Sequence, residues 1–188
     1  VLRGHTELVE SAVFSPDGKM VLTTGDITAR IYEVISGNTL QVLSGHSDWV
    51  VSALFSPDGK LVVTSSCDNS ARIYEVSSGK ELQLLLGHKG IVNSAVFSPD
   101  GKMIFTKSLD NKSILWNIDT GNPIYERIQF ENNNWLVKLP NSPYYMCSKD
   151  ASKMLHYVTP SLKVIGFEQL DPVYNRPDIV LDSIGKYF

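Results

Sequence analysis

The chain is short of cysteine, of long apolar runs and of excess positive charge, and each shortage removes a class of protein. Its two cysteines, Cys67 and Cys147, stand far apart and outside any CxxC pair, too few for a disulfide-stapled scaffold. A reducing, cytoplasmic compartment is the expectation. No apolar run approaches the ~18 residues of a transmembrane helix, so no membrane partner is expected. Lys and Arg number 17 against 20 Asp and Glu, a net charge of −3. That balance lacks the broad basic footprint of a nucleic-acid binder. From Val1 onward neither a basic n-region nor an apolar h-region is visible, so no secretory leader is expected. No Gly-rich phosphate loop and no zinc-type ligand spacing occurs, and neither cofactor nor metal is expected. What remains is a globular composition, 43% hydrophobic and 20% charged.

Repetition is the dominant signal present. Gly-His recurs at Gly4-His5, Gly45-His46 and Gly87-His88, spaced by 41 and 42 residues. Phe-Ser-Pro-Asp-Gly-Lys recurs at 14–19, 55–60 and 97–102 with the same spacings. Ala-Arg-Ile-Tyr-Glu-Val occupies 29–34 and 71–76, and its third counterpart is Ser113-Ile114-Leu115-Trp116-Asn117-Ile118. Each unit closes on a turn: Ser36-Gly37-Asn38, Ser78-Gly79-Lys80 and Thr120-Gly121-Asn122. Within one unit, Val50–Phe55 is β-branched or aromatic and alternating, so a strand. Ser56-Pro57-Asp58-Gly59 is a turn, with Pro fixing φ and Gly supplying the permissive position. Leu61–Ser66, Ala71–Val76 and Glu81–Leu86 supply three further strands. Four strands in about 42 residues, repeated, predict the blade of a β-propeller.

These strings closely resemble the WD-repeat (WD40) β-propeller family. The resemblance covers residues 1 to about 122. It rests on the Gly-His pairs, the Ser-Pro-Asp-Gly turns, the Asp before the third strand, and Ile-Tyr-Glu or Leu-Trp-Asn at the family's Trp-Asp. It implies an all-β fold with blades at 7–41, 48–83 and 90–122. It also implies a buried polar network of His88, Thr106 (or Ser108), Asp110 and Trp116 in the third unit. In the second the counterparts are His46, Thr64 (or Ser66), Asp68 and Tyr74. A buried carboxylate needs donors, a neutral His bridges it to a hydroxyl, and an indole N–H completes the chain. Tyr74 carries its only polar atom at the far end of its ring, so the second network is expected to stop at the hydroxyl residue. In the first unit one residue is missing between Val21 and Asp26. A pinched second strand and a weak network at Asp26 are the expectation there. The resemblance further implies a rim of partner-binding residues five positions after each of these histidines: Glu10, Val51 and Asn93.

After residue 122 the repeat fades. Strand-like stretches at Ile124–Phe130, Trp135–Leu139, Tyr144–Ser148 and Met154–Val158 predict a degenerate fourth blade over 123–165. Residues 166–188 then form a junction with a short helix at about 177–184, Pro177 near its start and Gly185 past its end. This segment is similar to the junction of bacterial proteins that join a WD-repeat propeller to a caspase-like cysteine peptidase. The similarity lies in Tyr144-Tyr145-Met146, Phe167-Glu168-Gln169 and Tyr174-Asn175-Arg176-Pro177-Asp178-Ile179-Val180-Leu181. It implies an adjoining peptidase domain rather than an activity here, since no Gln-Ala-Cys-x-Gly string occurs.

Val1-Leu2-Arg3-Gly4-His5 is the counterpart of Val42-Leu43-Ser44-Gly45-His46, so the chain is expected to open inside a preceding blade. Missing upstream sequence, a second copy that closes the ring, and closure by four blades alone are the three arrangements considered. The expected function is a non-catalytic scaffold for protein partners, regulatory to an attached peptidase. The alternatives are a cysteine hydrolase using Cys147 and His156, and a small-molecule or glycan-binding propeller. Against the hydrolase, nothing local activates Cys147. No aromatic cluster at loop positions favours the glycan binder.

Overall fold

The computed structural model describes residues 2–151, 156–158, 164–166 and 174–186. The chain divides into two compact units, Val1–Asp110 with Leu115–Asn122, and Asn111–Ile114 with Pro123–Phe188.

The first unit is built from the repeats. β1 (Val9–Phe14), β2 (Met20–Gly25), β3 (Thr28–Glu33) and β4 (Thr39–Leu43) form one four-stranded sheet in chain order. β5 (Val50–Phe55), β6 (Leu61–Ser66), β7 (Ser70–Glu75) and β8 (Glu81–Leu86) form a second. The Ser-Pro-Asp-Gly hairpins close as their residues dictate. Ser15 Oγ accepts from Met20 N at 2.9 Å, Asp17 Oδ1 accepts from Lys19 N at 3.1 Å, and Gly18 takes φ 71°. The same bonds recur around Ser56, Asp58 and Gly59.

The core lies between successive sheets. Leu22, Ala29, Ile31 and Leu43 of the first close on Val50, Ala53, Val62 and Tyr74 of the second, each at most 1% exposed. Burying each of the larger side chains contributes about 1.5–3 kcal/mol. The result is an all-β, partial propeller of WD-type blades.

The tail differs from its sequence expectation. β9 (Val92–Phe97), β10 (Met103–Ser108), β11 (Lys112–Asn117), β12 (Pro123–Gln129), β13 (Trp135–Lys138) and β14 (Tyr145–Cys147) belong to one six-stranded sheet, ordered β14-β13-β12-β11-β10-β9. Residues 123–129 are therefore the fourth strand of the third sheet, not the start of a separate blade. The repeat explains why: β4 and β8 follow the turns at Gly37 and Gly79, and β12 follows the turn at Gly121 in the same way. Glu126 of β12 pairs with Lys112 at 3.2 Å and with Lys138 of β13 at 3.3 Å. β13 pairs with β12 and β14 with β13, extending the sheet where β4 and β8 end theirs, with the Glu126–Lys138 ion pair across the added edge. β15 (His156–Val158) pairs only with β16 (Val164–Gly166), so no four-stranded blade spans 123–165 among the described residues.

A helix, α1 (Pro177–Gly185), begins with Pro177 in its first turn and buries Val180. Arg176 N donates to Tyr145 O at 2.8 Å beside a parallel bridge between Tyr145 and Asn175. The expected strand start at Met154 and the Phe167-Glu168-Gln169 element of the junction lie outside the described residues.

The missing residue of the first repeat also falls elsewhere than expected. β2 has six residues, as do β6 and β10. The deletion is taken up by the turn. Asp26-Ile27 joins β2 to β3, where Cys67-Asp68-Asn69 joins β6 to β7. The left-handed residue moves with it, to Asp26 (φ 53°) from Asn69 (φ 69°). An L-residue with a Cβ is strained there, and Asn is among the few that tolerate it. Asn69→Ala should therefore cost about 1 kcal/mol, while Asn69→Gly should stay within about 0.5 kcal/mol of the parent. Urea-denaturation midpoints compare the two; equal losses would place the effect in the side chain instead of the backbone.

Candidate functional site

In each repeat the Gly-His loop brings its histidine over the turn between the second and third strands of the sheet that follows it. His88 Nε2 lies 2.8 Å from Thr106 Oγ1, and His88 Nδ1 lies 3.2 Å from Asp110. Trp116 Nε1 donates to Thr106 Oγ1 at 2.8 Å. One consistent proton order satisfies every group. The indole donates to the hydroxyl, the hydroxyl to His88 Nε2, and His88 Nδ1–H to the carboxylate. Ser108, the other hydroxyl considered, binds Gly90 O and Asp110 N and pins the backbone.

The second repeat makes the shortest version. His46 lies 2.7 Å from Thr64 Oγ1 and 2.8 Å from Asp68 Oδ2. Tyr74 stands where the third repeat has Trp116. Its hydroxyl donates to Ser44 O at 3.1 Å, tying the third strand to the Gly-His loop by another route. Ser66, like Ser108, holds backbone, accepting from Asp68 N and donating to Asp48 O.

The first repeat departs from the weak network expected of it. His5 reaches Thr23 Oγ1 at 2.8 Å and Asp26 Oδ2 at 3.2 Å. Histidine and threonine are 18 apart in all three repeats, so the deletion falls after the threonine and leaves its face unchanged. Sequence reasoning missed a further set of donors. Thr28 Oγ1 and Ser70 Oγ donate to Asp26 and Asp68 at 2.7 and 2.6 Å. The backbone N–H groups of Thr6, Ser47 and Lys89 reach Asp26, Asp68 and Asp110. The signal was a hydroxyl residue two positions after the Asp.

These donors set the titration. Burial opposes ionisation of Asp68, but hydrogen bonds from Ser70 and His46 outweigh it and hold the carboxyl at about 2. At Asp26 burial is likewise outweighed, by Thr28, the Thr6 N–H and His5, again to about 2. Burial lowers His46, with Asp68 pulling the other way. His5, His46 and His88 each serve their own repeat. Among the described residues no three His, Cys, Asp or Glu side chains gather as a metal site.

The candidate rim residues share one structural feature. Val9 pairs with Gly25 and Ser11 with Thr24, so Glu10 is skipped. Val50 pairs with Ser66 and Ser52 with Ser65, so Val51 is skipped. Ser94 pairs with Lys107 and Val92 with Ser108, so Asn93 is skipped. Each is the extra residue of a β-bulge, a feature that leaves a residue out of the ladder and re-aims its side chain. Glu10 is exposed, Val51 and Asn93 half-buried, and Asn93 Oδ1 is buried without a hydrogen-bond partner. No sequence signal marks a bulge except the repeated interval itself.

Cys147 and His156 are not brought onto paired strands. β14 pairs with β13, and β15 with β16. Cys147 Sγ takes a contact from Asn175 Nδ2 at 3.8 Å. Burial, with Asp48, Asp68 and Glu10, pushes the Cys67 thiol up, away from nucleophilic thiolate. No helix among the described residues is long and apolar enough to cross a membrane.

The family model of the WD domain, G-beta repeat, matches residues 1–33, 37–75 and 79–117. Among solved structures, that of U3-55K aligns with a TM-score of 0.66 at 20% identity, over 88% of this chain and 53% of that one. The chain thus spans about half the length of that solved relative, and the likeness at this identity is one of fold. No curated protein matches the sequence.

Two outcomes follow from the network. Asp26→Ala and Asp68→Ala should each lose about 1–3 kcal/mol, the cost of leaving buried donors unpaired. Denaturation curves that showed Asp26→Ala to be silent would mean its bonds do not hold in solution. The pH dependence has a fixed sign. Folded Asp26 and Asp68 titrate below the ordinary 3.8, so their contribution is whole above about pH 4 and is lost as pH falls toward 2. His46 titrates below its ordinary 6.5, so the unfolded chain takes that proton first and stability also declines as pH drops through about 6.5. Thermal midpoints from pH 8 to 2 should be flat, then fall in two stages, with Asp68→Asn shrinking the lower stage.

Proposed function

Because the chain belongs to the WD40 family, the WD domain, G-beta repeat, we propose that it is a non-catalytic scaffold that binds protein partners. The observation that carries this reading is the row of bulged residues at one end of the inner strands. Glu10, Val51 and Asn93 are offered by three consecutive sheets whose cores and turns are fixed, so a partner meets a surface ordered before binding. The buried networks beneath the rim serve that rigidity. The remaining chemistry of the chain is structural: histidines held in separate repeats and a Cys67 thiol pushed away from thiolate.

The finer reading is that this scaffold regulates an adjoining caspase-like peptidase of a bacterial protein. Its support is the similarity of Tyr144-Tyr145-Met146 and of Tyr174 through Leu181 to such junctions. In that stretch Arg176 grips Asp178 through two hydrogen bonds of 2.9 and 2.6 Å, and the strand holding Tyr145 bridges to Asn175. A short, tied segment of this kind suits a junction that transmits a displacement. Both the localisation to cytoplasm and a junction over residues 166–188 are part of this proposal.

Binding should map to the rim. Glu10→Lys and Asn93→Lys should abolish or weaken co-purification of native partners, and Glu10→Lys, at an exposed position, should leave the thermal midpoint unchanged. Partners retained by both variants would place the interaction elsewhere. The purified chain should show no peptidase or other hydrolase turnover. Stoichiometric labelling of Cys147 by a thiol-directed probe that vanishes in His156→Ala, together with turnover of a basic-residue peptide, would overturn the non-enzyme reading.

A further inference from the structure

Resting on the rim as the interaction surface, we propose that its occupant over the first and second sheets is a cationic protein segment. Its Arg or Lys side chains lie against Trp49 and between Glu7, Glu10 and Asp48. The loops that carry these residues form one continuous edge. Val50 N donates to Asp26 O at 2.9 Å, linking the Trp49 loop to the turn of the first sheet. Cys67 N donates to Trp49 O at 2.9 Å, linking it to the turn of the second.

Glu7, Glu10 and Asp48 are all exposed, and no described Lys or Arg pairs with any of them. Elsewhere in the same unit some carboxylates have cationic partners, Asp17 with Lys19 at 3.9 Å, Asp58 with Lys60 at 3.6 Å and Glu81 with Arg72, and Glu33, Glu75 and Asp100 accept from the hydroxyls of Ser36, Ser78 and Ser98. The Asp48 carboxylate accepts only from its neighbour Trp49 N, at 2.7 Å. The fields of Glu10 and Asp48 converge on one turn. After burial, Asp48, Asp68 and Glu10 are what raise the Cys67 thiol.

The same loops and turn also carry large exposed apolar side chains. Trp49 is 40% exposed, Leu8 73% and Ile27 48%. An exposed indole beside unpaired carboxylates is a composition that holds a cation by its π-face and its charge together. Arg is favoured over Lys, because its flat guanidinium stacks on an aromatic face while its N–H groups reach a carboxylate. The cations of this edge belong to the third repeat, the exposed Lys89 and Lys107. They repel the same segment, so it is held over the first two sheets, and charge sets its register.

The test titrates fluorescein-labelled tetra-arginine amide into the purified chain at low salt, with labelled tetra-glutamate as its counterpart. Tetra-arginine should bind and tetra-glutamate should not. Glu10→Lys combined with Asp48→Lys should weaken tetra-arginine about tenfold or more. Trp49→Ala, which leaves the charge unchanged, should weaken it several-fold. Asp17→Lys, at the opposite ends of the strands, should leave it unaltered, which separates docking from general attraction. No binding up to millimolar peptide, equal affinity for both peptides, or equal losses in Asp17→Lys and the rim variants would overturn the proposal. Native partners lost on Glu10→Lys and Asn93→Lys while tetra-arginine ignores the rim would remove the cationic segment and leave the scaffold reading standing.

Discussion

Everything in the repeated unit hangs on one carboxylate held at the turn between the second and third strands. Asp26, Asp68 and Asp110 each sit where the chain must reverse, and each collects donors from more than one direction. The histidine comes from the preceding loop, an N–H from the residue after it, and in two repeats a hydroxyl and an N–H from two positions on. The charge is kept because its hydrogen bonds exceed its burial penalty, as the low titration of Asp26 and Asp68 records. Removing the charge would strand several donors at once, so the turn, the loop above it and the strand that supplies the threonine stand together.

The aromatic residue that ends each network decides how the loop is tied down. Trp116 has its N–H within the body of the ring system and spends it on Thr106. Tyr74 and Tyr32 carry a hydroxyl at the tip, and reach past the threonine to the carbonyls of Ser44 and Arg3, each at 3.1 Å. Burial pushes the Tyr74 hydroxyl up, so it stays protonated and remains a donor. The two chemistries achieve one result, a third strand fastened to the Gly-His loop, by an internal hydroxyl in one case and by backbone in the other. A family position that tolerates both residues is thus constrained by donor reach, not by the identity of the ring.

The repeat made most of this legible in the sequence. Fixed intervals placed the strands, the hairpins and the His, Thr, Asp and aromatic positions, because a polar network needs specific atoms at specific separations. Three things escaped. The deletion before Asp26 was assigned to a strand, yet turns absorb a residue at less cost than a paired strand whose faces must alternate. The fourth strand of the third sheet reads in the sequence as part of the next blade, since Pro123–Gln129 lacks the string that marks its relatives, and the Glu126–Lys138 ion pair to a fifth strand has no counterpart in β4 or β8. The bulges at Glu10, Val51 and Asn93 leave no composition signal at all, because a bulge is a property of two strands and the sequence displays one at a time.

The apolar core and the polar network obey different rules, and the first sheet separates them. Val9, Val50 and Val92 hold equivalent positions with the same side chain, yet their exposures are 55%, 1% and 0%. Ala12 is exposed where Ala53 and Ala95 are 1% exposed. Burial at these positions is supplied by the sheet on the near side, so a sheet does not own its core; it shares one with each neighbour. The network behaves otherwise. In that same first sheet the His5 and Asp26 side chains are only 6% and 12% exposed and remain bonded. Loop, turn and threonine all come from a single stretch of 22 residues running from His5 to Asp26, so the pin closes without a neighbour. A unit that carries its own polar fastening but borrows its apolar cover is suited to repetition. Each sheet arrives with its loop already aimed, and stacking adds the stability without having to choose the geometry.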